Sequence, residues 1–134
     1  MVHTPRCDNA AADAAANRAL DQGSFEEVYA TEQAKLLEAL ANDGGRQLGL
    51  VFSWDGASRG NPGAASEGNC AWWGIWENNR FNEIGMLMCR GRRIGTQTNN
   101  VAEARGLAFA VKAALHFWFW LVESCAQAVE TRTL

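Results

Sequence analysis

The chain has 134 residues, 48% of them hydrophobic and 20% charged, and its formal net charge at pH 7 is −3. This length allows one domain with a real core and a short extension. The net acidity argues mildly against nucleic-acid binding by the chain as a whole. The charge is uneven, however: residues 1–45 carry three basic and eight acidic residues, whereas residues 46–134 carry nine basic and seven acidic ones. The second part alone is therefore compatible with an anionic partner.

Cysteine spacing and apolar runs bear on the cellular compartment. The four cysteines are far apart, form no CxxC pair and accompany no visible signal peptide, so we expect free thiols in a reducing compartment. The N-terminus lacks the apolar core of a signal peptide. The longest dense apolar run, residues 115–122, is too short to span a bilayer. These features predict an intracellular protein, cytoplasmic or nuclear, without a membrane segment.

The first 45 residues are predicted to form an extension of the domain. Residues 1–23 are rich in alanine and lack a hydrophobic period, which predicts a disordered leader. Ser24 followed by Glu27 has the spacing of a capping box, and an apolar helical stripe continues from there to Gly44 and Gly45. Residues 24–45 are therefore predicted to be one appended helix that packs on the domain or on a partner.

From Arg46 onward the pattern changes to that of strands. Residues 48–54 form a dense apolar run typical of a buried strand. Residues 69–77 and 81–89 are predicted to be two further strands, joined by a short polar turn at residues 78–80. Short connections of this kind predict an antiparallel meander of three strands.

A helix and a last strand are predicted to complete the fold. Asn100 and Glu103 have the spacing of a capping box, and apolar residues recur at helical spacing as far as Phe117. The Glu103 carboxylate then lies in the first turn of this helix, angled toward the sheet. Residues 117–122 are predicted to be a fourth strand that ends at Glu123. The predicted fold class is α/β, with a mixed sheet made of antiparallel strands 1–3, a helix and this fourth strand.

The stretch after the first predicted strand contains the main candidate site. Asp55 ends that strand and is followed by three glycines, at positions 56, 60 and 63, whose bare backbone suits a metal ion or a phosphate-bearing ligand. Asp55 and Glu103 are predicted to meet, and carboxylates held together usually bind a divalent cation. Two such ions can activate a water and stabilise a leaving oxygen in phosphodiester cleavage. From the residues alone, a turn-capping role for Asp55 and a helix-dipole role for Glu103 remain equally open.

Two motifs in this part of the chain carry a resemblance to a known family. The first is Trp-Asp-Gly-Ala-Ser-Arg-Gly-Asn-Pro-Gly at residues 54–63, and the second is Thr-Asn-Asn-Val-Ala-Glu at residues 98–103. Together they strongly resemble ribonuclease H type 1 and the reverse-transcriptase-like domains of retroelements and plants, over about residues 46–123. The resemblance implies a five-stranded mixed sheet that begins with three antiparallel strands. It also implies cleavage of the RNA strand of an RNA–DNA hybrid with two Mg²⁺ or Mn²⁺ ions.

The same resemblance implies roles for individual residues. Asp55 and Glu103 match the first two catalytic, metal-binding carboxylates of the family. The asparagines of the two motifs match residues that meet the minor groove of the hybrid, where RNA exposes its 2′-hydroxyls. The threonine of the second motif matches a DNA-phosphate contact. The implied nucleic-acid-binding residues are Gly56, Ser58, Asn61, Thr98, Asn99 and Asn100.

The chain departs from the family on its C-terminal side. Where the family has Gly-Asp followed by Ser at the end of the fourth strand, this chain has Glu123 and Ser124, twenty residues after Glu103. Glu123 is the expected third catalytic, metal-binding carboxylate, with the alternative that the sequence skips the Gly-Asp. The family's last helix and strand have no counterpart, so residues 46–134 are expected to form a partial domain. We expect the N-terminal helix, a protein partner or a second copy to cover its open sheet edge.

Three functions are compatible with these features. The first is an RNA–DNA hybrid endonuclease in which Glu123 is the third ligand. The second is a catalytically inactive nucleic-acid-binding remnant of a retroelement or of a truncated ribonuclease H. The third is a structural or interaction domain, because a fold alone does not determine function. The motif asparagines together with Glu103 favour the first two, and the short C-terminal part favours the second over the first.

Overall fold

The computed structural model describes residues 9–42 and 47–133, with side chains up to Ser124. Its elements in chain order are helix α1 (Ala10–Gln22), strand β1 (Phe25–Val28), helix α2 (Ala30–Asn42), strand β2 (Gln47–Gly60), strand β3 (Gly63–Glu77), strand β4 (Arg80–Gln97) and helix α3 (Asn99–Thr133). Within these ranges the strands form one four-stranded antiparallel sheet in the order β1-β4-β3-β2. The fold is therefore mixed α/β, as the sequence predicts, but the described sheet is antiparallel throughout and is not the predicted mixed sheet.

The three long strands β2, β3 and β4 confirm the predicted antiparallel meander. β2 and β3 pair up to a tight turn, where Gly60 lies opposite Gly63. β3 and β4 are joined by Asn78 and Asn79, whose φ angles are 51° and 61°. Two successive positive φ angles are those of the type I′ hairpin turn, and asparagine tolerates this backbone better than most residues do.

The glycine-rich motif is part of the sheet and not a loop after it. The sequence predicts that the first long strand ends at Asp55, but β2 continues to Gly60 and places Asp55 opposite Gly68 of β3. The strand continues because the small residues after Asp55 pair in register with residues 63–68, which are also mostly small. Asp55 therefore lies within a paired strand, where its position is fixed by the ladder.

Residues 10–22 form helix α1, so the predicted disordered leader is wrong over this stretch. The alanines at positions 12, 15, 16 and 19 are buried at helical spacing. They allow a close approach to the sheet, because a Cβ added to Gly68 would lie only 2.6 Å from the Ala12 carbonyl oxygen. The buried face of α1 consists of alanines and not of large apolar residues. The sequence therefore shows no clear hydrophobic period over this helix. Residues 1–8 of the predicted leader lie outside the described residues.

The predicted single helix over residues 24–45 is also wrong at its start. Residues Phe25–Val28 form β1, which pairs antiparallel with β4, and α2 begins only at Ala30. The Ser24 hydroxyl oxygen accepts a hydrogen bond from the Arg93 backbone N–H at 2.9 Å, so Ser24 binds β4 and does not cap a helix. Pairing with a strand distant in sequence has overridden the local capping pattern. Residues 43–46 lie outside the described residues.

α3 is one continuous helix, so the predicted fourth strand at residues 117–122 is wrong. Phe117 and Leu121 belong to the hydrophobic core and continue the helical stripe of the residues before them. A short apolar run has the same composition in a buried strand and in a buried helix, so periodicity over six residues does not separate the two. The buried stripe of α3 consists of Ala102, Ala110, Ala113, Phe117 and Leu121.

The helices cover both faces of the sheet. Gly68 faces α1, whereas a Cβ added to Gly56 would lie 2.3 Å from the Ala102 carbonyl group of α3. The main hydrophobic core lies on the side of α2 and α3, where Phe117 packs against Phe52 of β2 with ring centroids 6.4 Å apart. Successive residues of a strand point to opposite faces. Asp55 therefore points toward the α1 face, and the neighbouring Gly56 toward α3.

Two surfaces remain open in the part of the chain that the structure describes. β2 is the last strand of the sheet, so its outer edge has no strand partner there. α3 also carries an exposed apolar stripe of Val111, Leu115, Trp118, Phe119 and Val122. The expectation that a partner or a second copy covers an open edge stays a prediction.

The long helix also bears on the expected absence of a membrane segment. Within α3, the stretch Asn99–Ser124 is long and apolar enough to cross a membrane. The expected absence of a membrane segment rested on the dense run at residues 115–122 alone. Core helices of soluble proteins share this length and composition, but only 28% of the apolar window in this stretch is buried, although Ala102 and Phe117 pack against the sheet. Length and composition are therefore not sufficient to assign this protein to a membrane.

Candidate functional site

The fold brings the two sequence motifs together at one end of β2. The Asn61 side-chain oxygen accepts a hydrogen bond from the Asn99 backbone N–H at 3.2 Å. The Ser58 hydroxyl donates to the Gln97 carbonyl oxygen at 2.9 Å. These bonds link the β2–β3 turn to the start of α3, although the residues they join are almost forty positions apart.

Thr98 caps the helix that carries the second motif. Its hydroxyl oxygen accepts a hydrogen bond from the Val101 backbone N–H at 3.3 Å, which is the arrangement of an N-cap residue. The N-cap residue is therefore Thr98, two positions before the Asn100 that the predicted capping box used. Asn99 and Asn100 lie in the first helical turn, and both are exposed, as is Asn61. Three amide side chains are thus available to a ligand at the end of the sheet.

Glycine at position 56 is required by the close packing of β2 against α3. An added Cβ there would lie 2.3 Å from the Ala102 carbonyl carbon and oxygen and 2.5 Å from the Glu103 backbone nitrogen. Gly106 of α3, one helical turn after Ala102, is also needed for this packing. A Cβ added to it would lie 2.8 Å from the Asp55 carbonyl oxygen of β2. The backbone of Asp55 is therefore held against the first turns of α3, which carry Glu103.

The Asp55 side chain lies next to a second aspartate that the sequence analysis did not single out. Its carboxyl group is hydrogen-bonded to that of Asp13 in α1, and its Oδ1 atom accepts a hydrogen bond from the Gly56 N–H at 2.9 Å. Asn9, one turn before Asp13, donates to the Trp54 carbonyl oxygen at 2.7 Å and fixes this end of α1 on β2. The only sequence signal for this contact is the alanine stripe that seats α1 on the sheet.

The surroundings of Asp55 make its carboxyl group harder to ionise. Burial raises its pKa from 3.8 to about 6, assisted by the hydrogen bond that the protonated Asp55 carboxyl donates to Asp13 and by repulsion from the charges of Asp13 and Glu103, and opposed by the Gly56 N–H. Like charges that converge in this way disfavour each other's ionisation unless a cation separates them. Glu103 is thus close enough for its charge to act on Asp55.

Glu123 does not join this group of acids. It is exposed on α3, twenty residues beyond Glu103 on the same continuous helix. A rise of about 1.5 Å per residue separates the two positions by about 30 Å. The expected role of Glu123 as the third catalytic and metal-binding carboxylate is therefore wrong for this fold, because the strand that was to carry it is helical.

The carboxylates around Asp55 are the candidate ligands for Mg²⁺. Among the described residues, no group of three or more His, Cys, Asp or Glu side chains has the arrangement of a complete metal site. Mg²⁺ usually binds one or two carboxylates and completes its shell with waters and substrate phosphates. Asp13 and Asp55, whose carboxyl groups are hydrogen-bonded to each other, supply two carboxylates of the kind such an ion binds. The Mg²⁺ expected from the motifs stays a prediction.

The arginines near the second motif are engaged in contacts within the protein. Arg90 and Arg92 lie over the Phe109 ring of α3, with guanidinium carbons 4.2 and 4.6 Å from its centroid. Arg92 also pairs with Glu67, whose side chain is 0% exposed. Arg93 donates to the last carbonyl oxygens of α1, at 2.8 and 2.9 Å. In this state these side chains stabilise the fold and are not free to bind phosphates.

Arg59 of the first motif is held by α1 as well. Its guanidinium group pairs with Asp21 near the end of that helix, and both side chains are more than half exposed. Exposed pairs of this kind are weak, so a phosphate can replace the carboxylate. α1 thus contacts the candidate site at both ends, through Asp13 and through Asp21.

Comparisons with known proteins identify no relative of this chain. No family model, no curated protein and no solved structure matches it. The two motifs and the geometry around Asp55 are therefore the features that bear on its function.

Proposed function

We propose that this chain is a ribonuclease H-like domain that binds an RNA–DNA hybrid and hydrolyses its RNA strand with Mg²⁺ or Mn²⁺. The observation that carries the proposal is the convergence of the two motifs. The hydrogen bond between Asn61 and Asn99 joins them, and Asp55 lies within the electrostatic reach of Glu103 at the same end of the sheet. Two motifs distant in sequence gain nothing obvious in stability from placing acids beside each other, whereas a phosphodiester-cleaving site needs that arrangement.

Binding of the hybrid is assigned to the exposed amides and to the start of α3. The side chains of Asn61, Asn99 and Asn100 both donate and accept hydrogen bonds, as recognition of 2′-hydroxyls and base edges in a minor groove requires. The positive end of a helix dipole attracts phosphate oxygens. At the start of α3 the Asn99 and Val101 N–H groups are already bonded to Asn61 and Thr98, so this attraction acts through the dipole and not through these two donors. Arg59 adds a positive charge next to this surface once it exchanges Asp21 for a phosphate.

Catalysis is assigned to the carboxylates around Asp55. A bound divalent ion supplies an activated water and stabilises the leaving oxygen of the cleaved phosphodiester. Asp55 and Asp13 would hold the ion, with Glu103 nearby, and the Gly56 N–H fixes the orientation of the Asp55 carboxylate through its hydrogen bond. Asp55 gives up its proton when it binds a cation, so binding strengthens as the pH rises through about 6.

A non-catalytic hybrid-binding domain is the second candidate function. The observation that favours it is the position of Glu123, about 30 Å along α3 from Glu103 by helical rise. This leaves the expected third acid out of the site, and a site with fewer ligands holds a second ion less well. The exposed asparagines would still bind the hybrid in that case.

Cleavage of an RNA–DNA hybrid labelled on its RNA strand separates these candidates. The wild-type chain is compared with Asp55→Asn, and with Glu77→Gln as a control for the loss of one exposed charge at the far end of β3. Cleavage by the wild type and Glu77→Gln, but not by Asp55→Asn, supports the enzyme. Hybrid binding without cleavage supports the second candidate. Folded protein that neither binds nor cleaves the hybrid contradicts both.

A further inference from the structure

Two cysteines lie directly opposite each other at the centre of the sheet. Cys70 of β3 is in register with Cys89 of β4, and their sulfur atoms are 2.9 Å apart as free thiols. Opposed residues of antiparallel strands have Cα atoms about 4.5–5.5 Å apart. A disulfide requires about 4.4–6.8 Å between its Cα atoms, so this pair can be bridged without moving the strands.

The two thiols differ in access to solvent. Cys70 is 0% exposed, whereas Cys89 is only half-buried. The two thiols share a hydrogen bond in which either sulfur can donate. This contact lowers the pKa of Cys89 and raises that of Cys70. A thiolate attacks oxidants and a neutral thiol does not. Cys89 is therefore the sulfur that meets an oxidant first, and Cys70 is the shielded sulfur beside it.

We propose that Cys70 and Cys89 are a peroxide-oxidisable dithiol, a modification site that closes into a cross-strand disulfide. The Cys89 thiolate attacks one oxygen of hydrogen peroxide, the O–O bond breaks and hydroxide leaves, which gives a sulfenic acid on Cys89. The Cys70 sulfur then attacks the Cys89 sulfur, and the S–O bond breaks with loss of water. Overall, two thiols and one peroxide give one disulfide and two waters, and two electrons pass from the sulfurs to the peroxide.

The position of the pair gives this modification a structural setting. Cys70 is two residues from Gly68, and Cys89 is two residues from Gly91, so all four lie on the α1 face of the sheet. Cys89 also lies opposite Glu27 of β1. The proposed disulfide therefore forms where α1 and β1 meet the long strands, and it is independent of the proposed nuclease activity.

Peptide mapping of the oxidised wild-type chain tests the proposal. The reduced protein is treated with an equimolar amount of hydrogen peroxide, denatured, alkylated and digested with trypsin, which places each cysteine in its own peptide: 7–18, 60–80, 81–90 and 113–132. We expect peptides 60–80 and 81–90 to appear joined, lighter by two hydrogens than their sum, and to separate on treatment with dithiothreitol. The peptides with Cys7 and Cys125 serve as internal controls.

The opposite pattern overturns the proposal. Recovery of both 60–80 and 81–90 as alkylated peptides, while the two control cysteines are oxidised, shows that the pair does not react. Conversion of Cys89 to a sulfinic acid without the linked peptide shows that Cys70 does not resolve it. Cys70→Ala supplies a second measurement, since folded variant protein is expected to accumulate a sulfenic acid on Cys89 that a dimedone reagent captures; absence of that adduct also contradicts the mechanism.

Discussion

Asp55 is expected to lower the stability of the metal-free protein at neutral pH, and Asp55→Asn tests this expectation. Its surroundings raise its pKa from 3.8 to about 6. Below about pH 3 its carboxyl group is largely protonated in the folded and unfolded chains alike. Between pH 3.8 and about 6 the unfolded chain ionises this group and the folded chain keeps it protonated, so the free energy of unfolding falls over this interval and levels off above it.

The pKa of Asp55 sets the size of this effect. The interval between 3.8 and about 6, at about 1.4 kcal/mol per pH unit, corresponds to about 3 kcal/mol. Solvent screens a side chain that is only partly buried, so we expect Asp55→Asn to raise the free energy of unfolding at pH 7 by about 1–3 kcal/mol. The gain is expected to disappear as the pH approaches 4, where the wild-type carboxyl group is already neutral.

Urea unfolding followed by tryptophan fluorescence from pH 4 to pH 8, with a chelator present, measures this gain. Glu77→Gln removes one charge from an exposed position and serves as the matched control. A stability of Asp55→Asn that equals or falls below the wild type at pH 7 would refute the reasoning. So would a gain of the same size at every pH, because a titrating carboxyl group cannot produce it.

Three further predictions concern the packing and the ion. Gly68→Ala places a Cβ 2.6 Å from the Ala12 carbonyl oxygen, so we expect a loss of about 1–3 kcal/mol in urea unfolding; an unchanged midpoint would show that α1 is not seated on β3. Arg92→Gln leaves the buried Glu67 carboxylate without its cation and should reduce stability by about 3–5 kcal/mol. The double change of Arg92 and Glu67 to Gln should recover most of that loss. If it does not, the loss does not come from the unpaired Glu67 carboxylate. Mg²⁺ should raise the thermal midpoint of the wild type but not of Asp55→Asn, by roughly 1.4 kcal/mol of stability at about ten times its Kd; an equal rise in both proteins would place the ion elsewhere.

The sequence predicted the meander and the meeting of the two motifs because local patterns determine both. The turn between β3 and β4 is predictable because Asn78 and Asn79 favour the positive φ angles that it requires, and the strands on either side of it are apolar. Asp55 and Glu103 approach each other because β2 and α3 pack through Gly56, a residue without a side chain. The motif sequences therefore carry the information that positions the candidate site.

The errors arose where distant contacts decide the structure. Ser24 binds the Arg93 N–H across the sheet, although its spacing to Glu27 suggested a helix cap. The helix α1, which brings Asp13 to Asp55, is held by buried alanines that carry no hydrophobic pattern of the usual kind. The run at residues 117–122 suits a strand and a helix equally well, and packing of Phe117 on Phe52 favours the helix. These contacts join residues that are distant in sequence, so patterns within a short stretch of sequence cannot predict them.

Single-turnover cleavage of an RNA–DNA hybrid by a set of matched carboxylate variants is the measurement that tests the central claim most directly. The set is Asp13→Asn, Asp55→Asn, Glu103→Gln and Glu123→Gln, each shown to be folded by its circular dichroism spectrum. The account predicts that the wild type and Glu123→Gln cut the RNA strand and leave the DNA intact, whereas the other three variants lose activity. An inactive wild type, or activity that depends on Glu123 and survives Asp55→Asn, would contradict it.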